Sequence, residues 1–278
     1  MNPLRLRLRE RPQQRIDMTS LTPDKLTGSG VAEIAALRLK LGRHERRVDA
    51  LFELDGEETS TVILDNASDR LDNIGAHMRQ GRLFVHGDAG FYLGRGMRGG
   101  EIQVSGSCGA FAGAGMRGGE IHIDGDAGDF LGAPPSGERL GMNGGLILVK
   151  GHAGDRVGDR QRRGTILIEG DAGAYCASSM IAGTIAILGQ AGANLGMDMR
   201  RGTLLLTREP ESLPPTFNDN DERELNFLSV LLSSFAHLNS HFARLPRGDY
   251  RVHRYLGDRA CGGLGEVLVW PAGQRSVS

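Results

Sequence analysis

Guanidinium groups recur at a fixed interval in this chain. Arg79, Arg98 and Arg117 stand 19 residues apart, and each follows a methionine, Met78, Met97 or Met116. If the intervening chain stacks in register, the three cations come within about 5 Å of one another on one surface, the spacing of neighbouring strands. Like charges at that distance repel by roughly 1 kcal/mol per pair in water, so an anion should offset them. It can be internal, supplied by Glu101 and Glu120 nearby, or external, an acidic partner or the polyanionic tail of a cofactor gripped by guanidinium forks.

Other chemically capable groups have plainer uses. Asp88, Asp126 and Asp171 share one repeat position with Ser107, His152 and Gln190. They form either an acidic ladder or turn residues bonded to their own backbone, as aspartate beside glycine commonly does. His237 and His241 have the spacing of a helical metal chelate, but no third ligand follows at a matching interval, so a solvated helix edge is expected. Met78, Met97, Met116, Met142, Met180 and Met199 read as a core filler, because thioethers pack irregular gaps. No GxSxG, P-loop or HExxH occurs, and the glycine spacings lack the strand-turn-helix context of a nucleotide site. Neither a catalytic constellation nor a metal site is expected.

The arginines are placed by an internal repeat, whose units open at Gly81, Gly100, Gly119, Gly145, Gly164, Gly183 and Gly202. The interval is 19 residues except for 26 between Gly119 and Gly145, where a seven-residue insertion falls within the loop-like segment GAPPSGERL. Two and four residues after each glycine stands an aliphatic, from Leu83 and Val85 to Leu204 and Leu206, which is a strand with one buried face. The rest of most units reads GxxGxxxG, too rich in glycine for helix and suited to corners taken with positive φ. A period near 20 residues signals a stacked architecture. The expected fold is therefore mainly β, a right-handed parallel β-helix of 19-residue GxxGxxxG rungs over 62–207, with 62–80 as a worn first rung.

The flanks differ. Residues 1–61 suggest a small α+β cap: a strand through Leu4, Leu6 and Leu8, a short helix over 31–37, and strands over 37–41 and 48–54. Within 208–278 an amphipathic helix is expected from Asn220 or Asp221 to about Phe242, then strands over 250–255 and 265–270. Outward rung positions turn apolar late in the repeat, at Leu146, Leu148, Leu167, Ala186, Leu188 and Leu205. This face should meet either the apolar helix or a partner.

Composition excludes several classes. Net charge is −1 at a pI near 6.7, which gives no reason to expect nucleic acid. Lys25, Lys40 and Lys150 are the only lysines among 33 basic residues. Three dispersed cysteines suggest neither disulfides nor zinc, no apolar run reaches membrane-spanning length, and no signal peptide is seen. A cytoplasmic protein is expected.

Tandem GxxGxxxG units on this period resemble the domain shared by the glutamate synthase large subunit and the C-subunit of formylmethanofuran dehydrogenase. The opening LRLRLRE, the stretch Ile34-Ala-Ala-Leu-Arg-Leu-Lys-Leu-Gly-Arg and then Asp49-Ala-Leu-Phe-Glu-Leu resemble that C-subunit over its whole length, most of all the bacterial form in formyltransferase/hydrolase complexes. The resemblance implies a non-catalytic scaffold in a complex that moves a formyl group from formyl-tetrahydromethanopterin to a methanofuran-like carrier and releases formate. It implies an amidohydrolase-like subunit, a formyltransferase subunit and a further subunit as partners, with no cofactor held by this chain's own ligands. The glutamate-rich tail of such a carrier would suit Arg79, Arg98 and Arg117. The alternatives are the C-subunit of a molybdenum or tungsten formylmethanofuran dehydrogenase and a stand-alone glutamate synthase-type interaction domain.

Overall fold

The computed structural model describes residues 2–246, Gly248 and 250–271. It is mainly β, built on a large and mostly parallel sheet consistent with a β-helix-like fold. The unit strands are Arg82–Gly87, Glu101–Val104, Glu120–Ile123, Asn143–Val149, Arg163–Ile168, Thr184–Ile187 and Arg201–Leu206. They pair in parallel so that Leu83, Ile102, Ile121, Ile147, Ile166, Ile185 and Leu204 form one continuous row. All of them are buried. Single bridges form a second parallel row through Ala89, Cys108, Ala127, Ala153, Ala172 and Ala191. The methionines of the repeat are wholly buried, which leaves the following arginines on the surface.

Both chain ends join the ladder. Glu58–Ala67 pairs with the first unit strand, placing Val62 beside Leu83, as expected of a worn rung. Pro3–Leu8 then adds in parallel, with Leu4 beside Val62 and Leu6 beside Leu64, and Phe52–Asp55 closes that edge. At the far end Leu264–Val269 pairs with the last unit strand, matching Gly265 to Gly202, Val267 to Leu204 and Val269 to Leu206. Arg251–Gly257 and Asn218–Glu224 follow in antiparallel order.

Two flank expectations need correction. Asn218–Glu224 is a strand, and the helix spans only Phe227–Ser234. The apolar stripe begins at Leu225, so the polar residues before it have no face to bury and instead form a charged sheet edge that discourages further pairing. Val48–Leu51 is a helical turn before the strand Phe52–Asp55, because Val48 and Phe52, four apart, are both fully buried.

A second core lies outside the ladder. Leu148, Leu167, Ala186, Leu188 and Leu205 pack with Leu228, Leu232, Phe235, Leu238, Phe242, Val252, Leu268 and Trp270. The late apolar face is thus covered by the chain's own C-terminal segment.

One position breaks the methionine row. Gln161 stands between Met142 and Met180 and is fully buried. Its Nε2 donates to the Gly164 carbonyl at 2.9 Å, whereas its Oε1 is buried without a partner. An unsatisfied buried acceptor costs about 1–3 kcal/mol. Gln161→Met should therefore raise stability by about 1–2 kcal/mol, read as a higher denaturant midpoint at unchanged slope.

Candidate functional site

The stacking that buries the methionines carries Arg79, Arg98 and Arg117 onto one surface. The Arg98 amide donates to the Met78 carbonyl at 2.8 Å and the Arg117 amide to the Met97 carbonyl at 2.7 Å. Arg162 and Arg200 continue the same row, their amides donating to the Met142 and Met180 carbonyls at 2.8 Å. All five are exposed. The structure thus places the three predicted residues on one row, while Arg162 and Arg200 hold the same repeat position in later units, separated from them and from each other by Asn143 and Ile181.

The internal partners do not form. Glu101 accepts from Gln103 at 2.5 Å, and Glu120 lies 3.1 Å from His122 Nε2 and 3.9 Å from His237 Nε2. Strand alternation explains this, since glutamates on the sheet face meet the residue two places on rather than the corner arginines. Among the described residues Arg79, Arg98 and Arg117 have no ion pair. Of these three, Arg98 is felt by His77, whose ring lies against Gly96 of the next unit. Burial, then the positive charges of Lys25, Arg95 and Arg98, hold its imidazole below the usual histidine range.

The other candidates are structural. Asp88, Asp126 and Asp171 do not cap their own turns. Their Oδ1 atoms accept from the amides of Ser107, His152 and Gln190 one unit further on, at 2.9, 2.7 and 2.7 Å. The fold puts that amide in reach because consecutive units lie one strand spacing apart. His237 and His241 do not share a helix, since the helix ends at Ser234. His241 Nδ1 instead lies 2.7 Å from Glu169 Oε2, and no cluster of three metal-ligating side chains exists among the described residues.

A further row was missed. Tyr92, Phe111 and Phe130 stack with centroids 5.0 and 4.7 Å apart, all at left-handed φ near +60°. Their 19-residue spacing was the available signal. Arg95 covers the Tyr92 ring at 5.3 Å, so a cation flanks one end of this row.

Acid should unbalance the molecule in two steps. His77, depressed by burial, favours the folded state above the ordinary histidine value of about 6.5 and loses that contribution as pH falls through its lower folded value. Burial pushes the Asp65 carboxyl up, but hydrogen bonds from Arg5 and His86 outweigh it and hold it below the usual range. Its contribution is present above about pH 4 and lost as pH falls further. Melting temperature against pH should decline in both windows, and Asp65→Asn should remove only the lower one.

Comparison with known proteins places this geometry. The GXGXG motif family model matches residues 71–225. The C-subunit of the formyltransferase/hydrolase complex Fhc of Methylorubrum extorquens is 52% identical over 264 residues, 95% of this chain and 98% of the relative. The C-subunit of a tungsten-containing formylmethanofuran dehydrogenase 2 of Methanococcus maripaludis is 32% identical over 96 residues, 34% of this chain and 35% of the relative. A chain in the crystal structure of the Methylorubrum extorquens FhcABCD complex with methylofuran superimposes with a TM-score of 0.88 at 41% identity, covering 95% of this chain and 98% of that one. The likeness covers 95% of this chain, well beyond the glycine repeat, and the chain therefore belongs to the family of formyltransferase/hydrolase complex C-subunits.

Proposed function

We propose that this chain is the non-catalytic scaffold of a cytoplasmic formyltransferase/hydrolase complex, a right-handed parallel β-helix on which an amidohydrolase-like, a formyltransferase and a further subunit assemble. The complex moves formyl from formyl-tetrahydromethanopterin to a methanofuran-like carrier and releases formate. The observation that carries this reading is the end-to-end likeness to a chain of the Methylorubrum complex, solved with methylofuran. A scaffold role is also supported by what the capable side chains do here: the corner aspartates clamp neighbouring units and His241 is held by Glu169.

Arg79, Arg98 and Arg117 are the track for the acidic tail of the carrier. Three guanidiniums with no ion pair among the described residues, set on a rigid row, hold a flexible polyanion without first breaking internal ion pairs. Purification of the tagged chain from its own cells, with mass spectrometry of what accompanies it and assays of formyl transfer and formate release, tests the assembly. A lone, inactive chain would refute it. In the assembled complex Arg98→Gln with Arg117→Gln should weaken carrier retention by about tenfold or more, since charge-assisted contacts contribute about 1.5–3 kcal/mol each when formed. Unchanged retention and turnover would remove the track while leaving the scaffold.

A further inference from the structure

The basic row has a second, differently built station beyond the insertion. A groove of about 620 Å³ is lined by Arg139 of the insertion, Arg160, Arg200, Leu140 and Ile181. Beside it lies a depression of about 560 Å³ lined by Met197, Leu213, Pro214 and Pro215. Asp198 belongs to the walls of both.

We propose that this double groove docks an acidic segment of another polypeptide, its carboxylates over Arg139, Arg160 and Arg200 and an apolar side chain beside Met197. Three guanidiniums share the first groove with the Asp198 carboxylate alone, and the Asp258 carboxylate in the wall of the second is already engaged by the Asp198 and Ala260 amides at 3.1 and 2.9 Å, so the basic part of the groove calls for an anion. Among the described residues Arg139 and Arg200 have no ion pair. Arg160 has only Asp159 at 3.9 Å, and that carboxylate already accepts from the Ser178 hydroxyl at 2.7 Å. Leu140 and Met197 are 39% and 43% exposed, a cost that an apolar anchor would remove. The two depressions share Asp198 as a wall, and an extended chain can reach both where a compact molecule would fill only one. Arg160 and Arg200 sit on stacked units, so their backbones need no ordering on binding.

This inference stands on the groove alone and does not depend on the role in formyl transfer. It is tested by fluorescence anisotropy of the full chain with a labelled hexapeptide of five glutamates and one phenylalanine. Saturable binding is expected, weakened about tenfold or more by Arg160→Gln with Arg200→Gln and about threefold by Met197→Ser, at unchanged melting temperatures. Should the double variant fail to fold, Arg160→Glu is tested with a peptide carrying one lysine, which must bind this variant better than the all-acidic peptide does. The proposal is overturned if binding is not saturable, if the variants bind like the parent, or if hexaglutamate without phenylalanine binds equally well. That last result would assign the groove to a simple polyanion.

Discussion

Gly189→Ala is expected to lower stability by about 3–4 kcal/mol, through overpacking and the loss of a backbone clamp. A Cβ there would lie 2.4 Å from the Gly170 carbonyl oxygen and 2.5 Å from its carbon, distances that backbone cannot accommodate. It would also sit 2.4 Å from Asp171 Oδ1, the atom that accepts from the Gln190 amide at 2.7 Å. The substitution therefore wedges two units apart at the point where they are stapled together. In a stacked fold each unit touches only its neighbours, so the damage should be local: protease cleavage after this point should appear well before global unfolding. Denaturation that matches the parent within about 0.5 kcal/mol, as a surface change would give, would show that the units tolerate wider spacing. Glycine is needed here for close approach and not for its dihedral freedom. The same contact recurs at Gly106 above Gly87 and at Gly170 above Gly151.

Leu232→Ala should cost about 2–5 kcal/mol, the range for emptying a buried leucine site. Leu232 is 2% exposed and belongs to the cluster that joins the C-terminal helix to Leu148, Leu167 and Leu205. Its loss should loosen the helix from the sheet before the ladder itself melts, because the inner row through Ile147, Ile166 and Ile185 forms a separate cluster. Trp270 is the chain's only tryptophan and is fully buried in the outer cluster, so its emission reports the event directly. A red-shifted emission transition at lower denaturant than the loss of β circular dichroism is expected. Coincident transitions would mean that the two cores unfold as one. Val230→Ala, at a residue 72% exposed on the same helix, should stay within about 0.5 kcal/mol of the parent.

The unit strands and their parallel stacking were legible because periodicity acts locally. A glycine, then aliphatics at the second and fourth places after it, dictates a half-buried strand in every unit, and the common interval dictates that these strands stack in register. The placement of Arg79, Arg98 and Arg117 on one face followed from the same arithmetic, as did burial of the methionines beside them. The strand at Leu264–Val269 was harder to place. Its pattern of Gly265, Val267 and Val269 copies Gly202, Leu204 and Leu206, but the chain reaches it only after a long excursion, and sequence distance no longer reports spatial order.

What the tertiary structure decided were the partners. Glu101 and Glu120 were close enough in sequence to neutralise the arginines, yet strand alternation turns them toward Gln103 and His122. The corner aspartates looked like local turn residues, yet the unit spacing gives their carboxylates to the next unit. An apolar helix and an apolar sheet face were each visible, while their meeting depended on a return of the chain that no local pattern encodes. By itself, then, the sequence determined the repeat, its buried rows and its cationic face, because those are set by residue type and interval. Which charges remain unpaired, and where the grooves between distant segments open, depends on packing between parts of the chain far apart in sequence, and only the folded structure decided it.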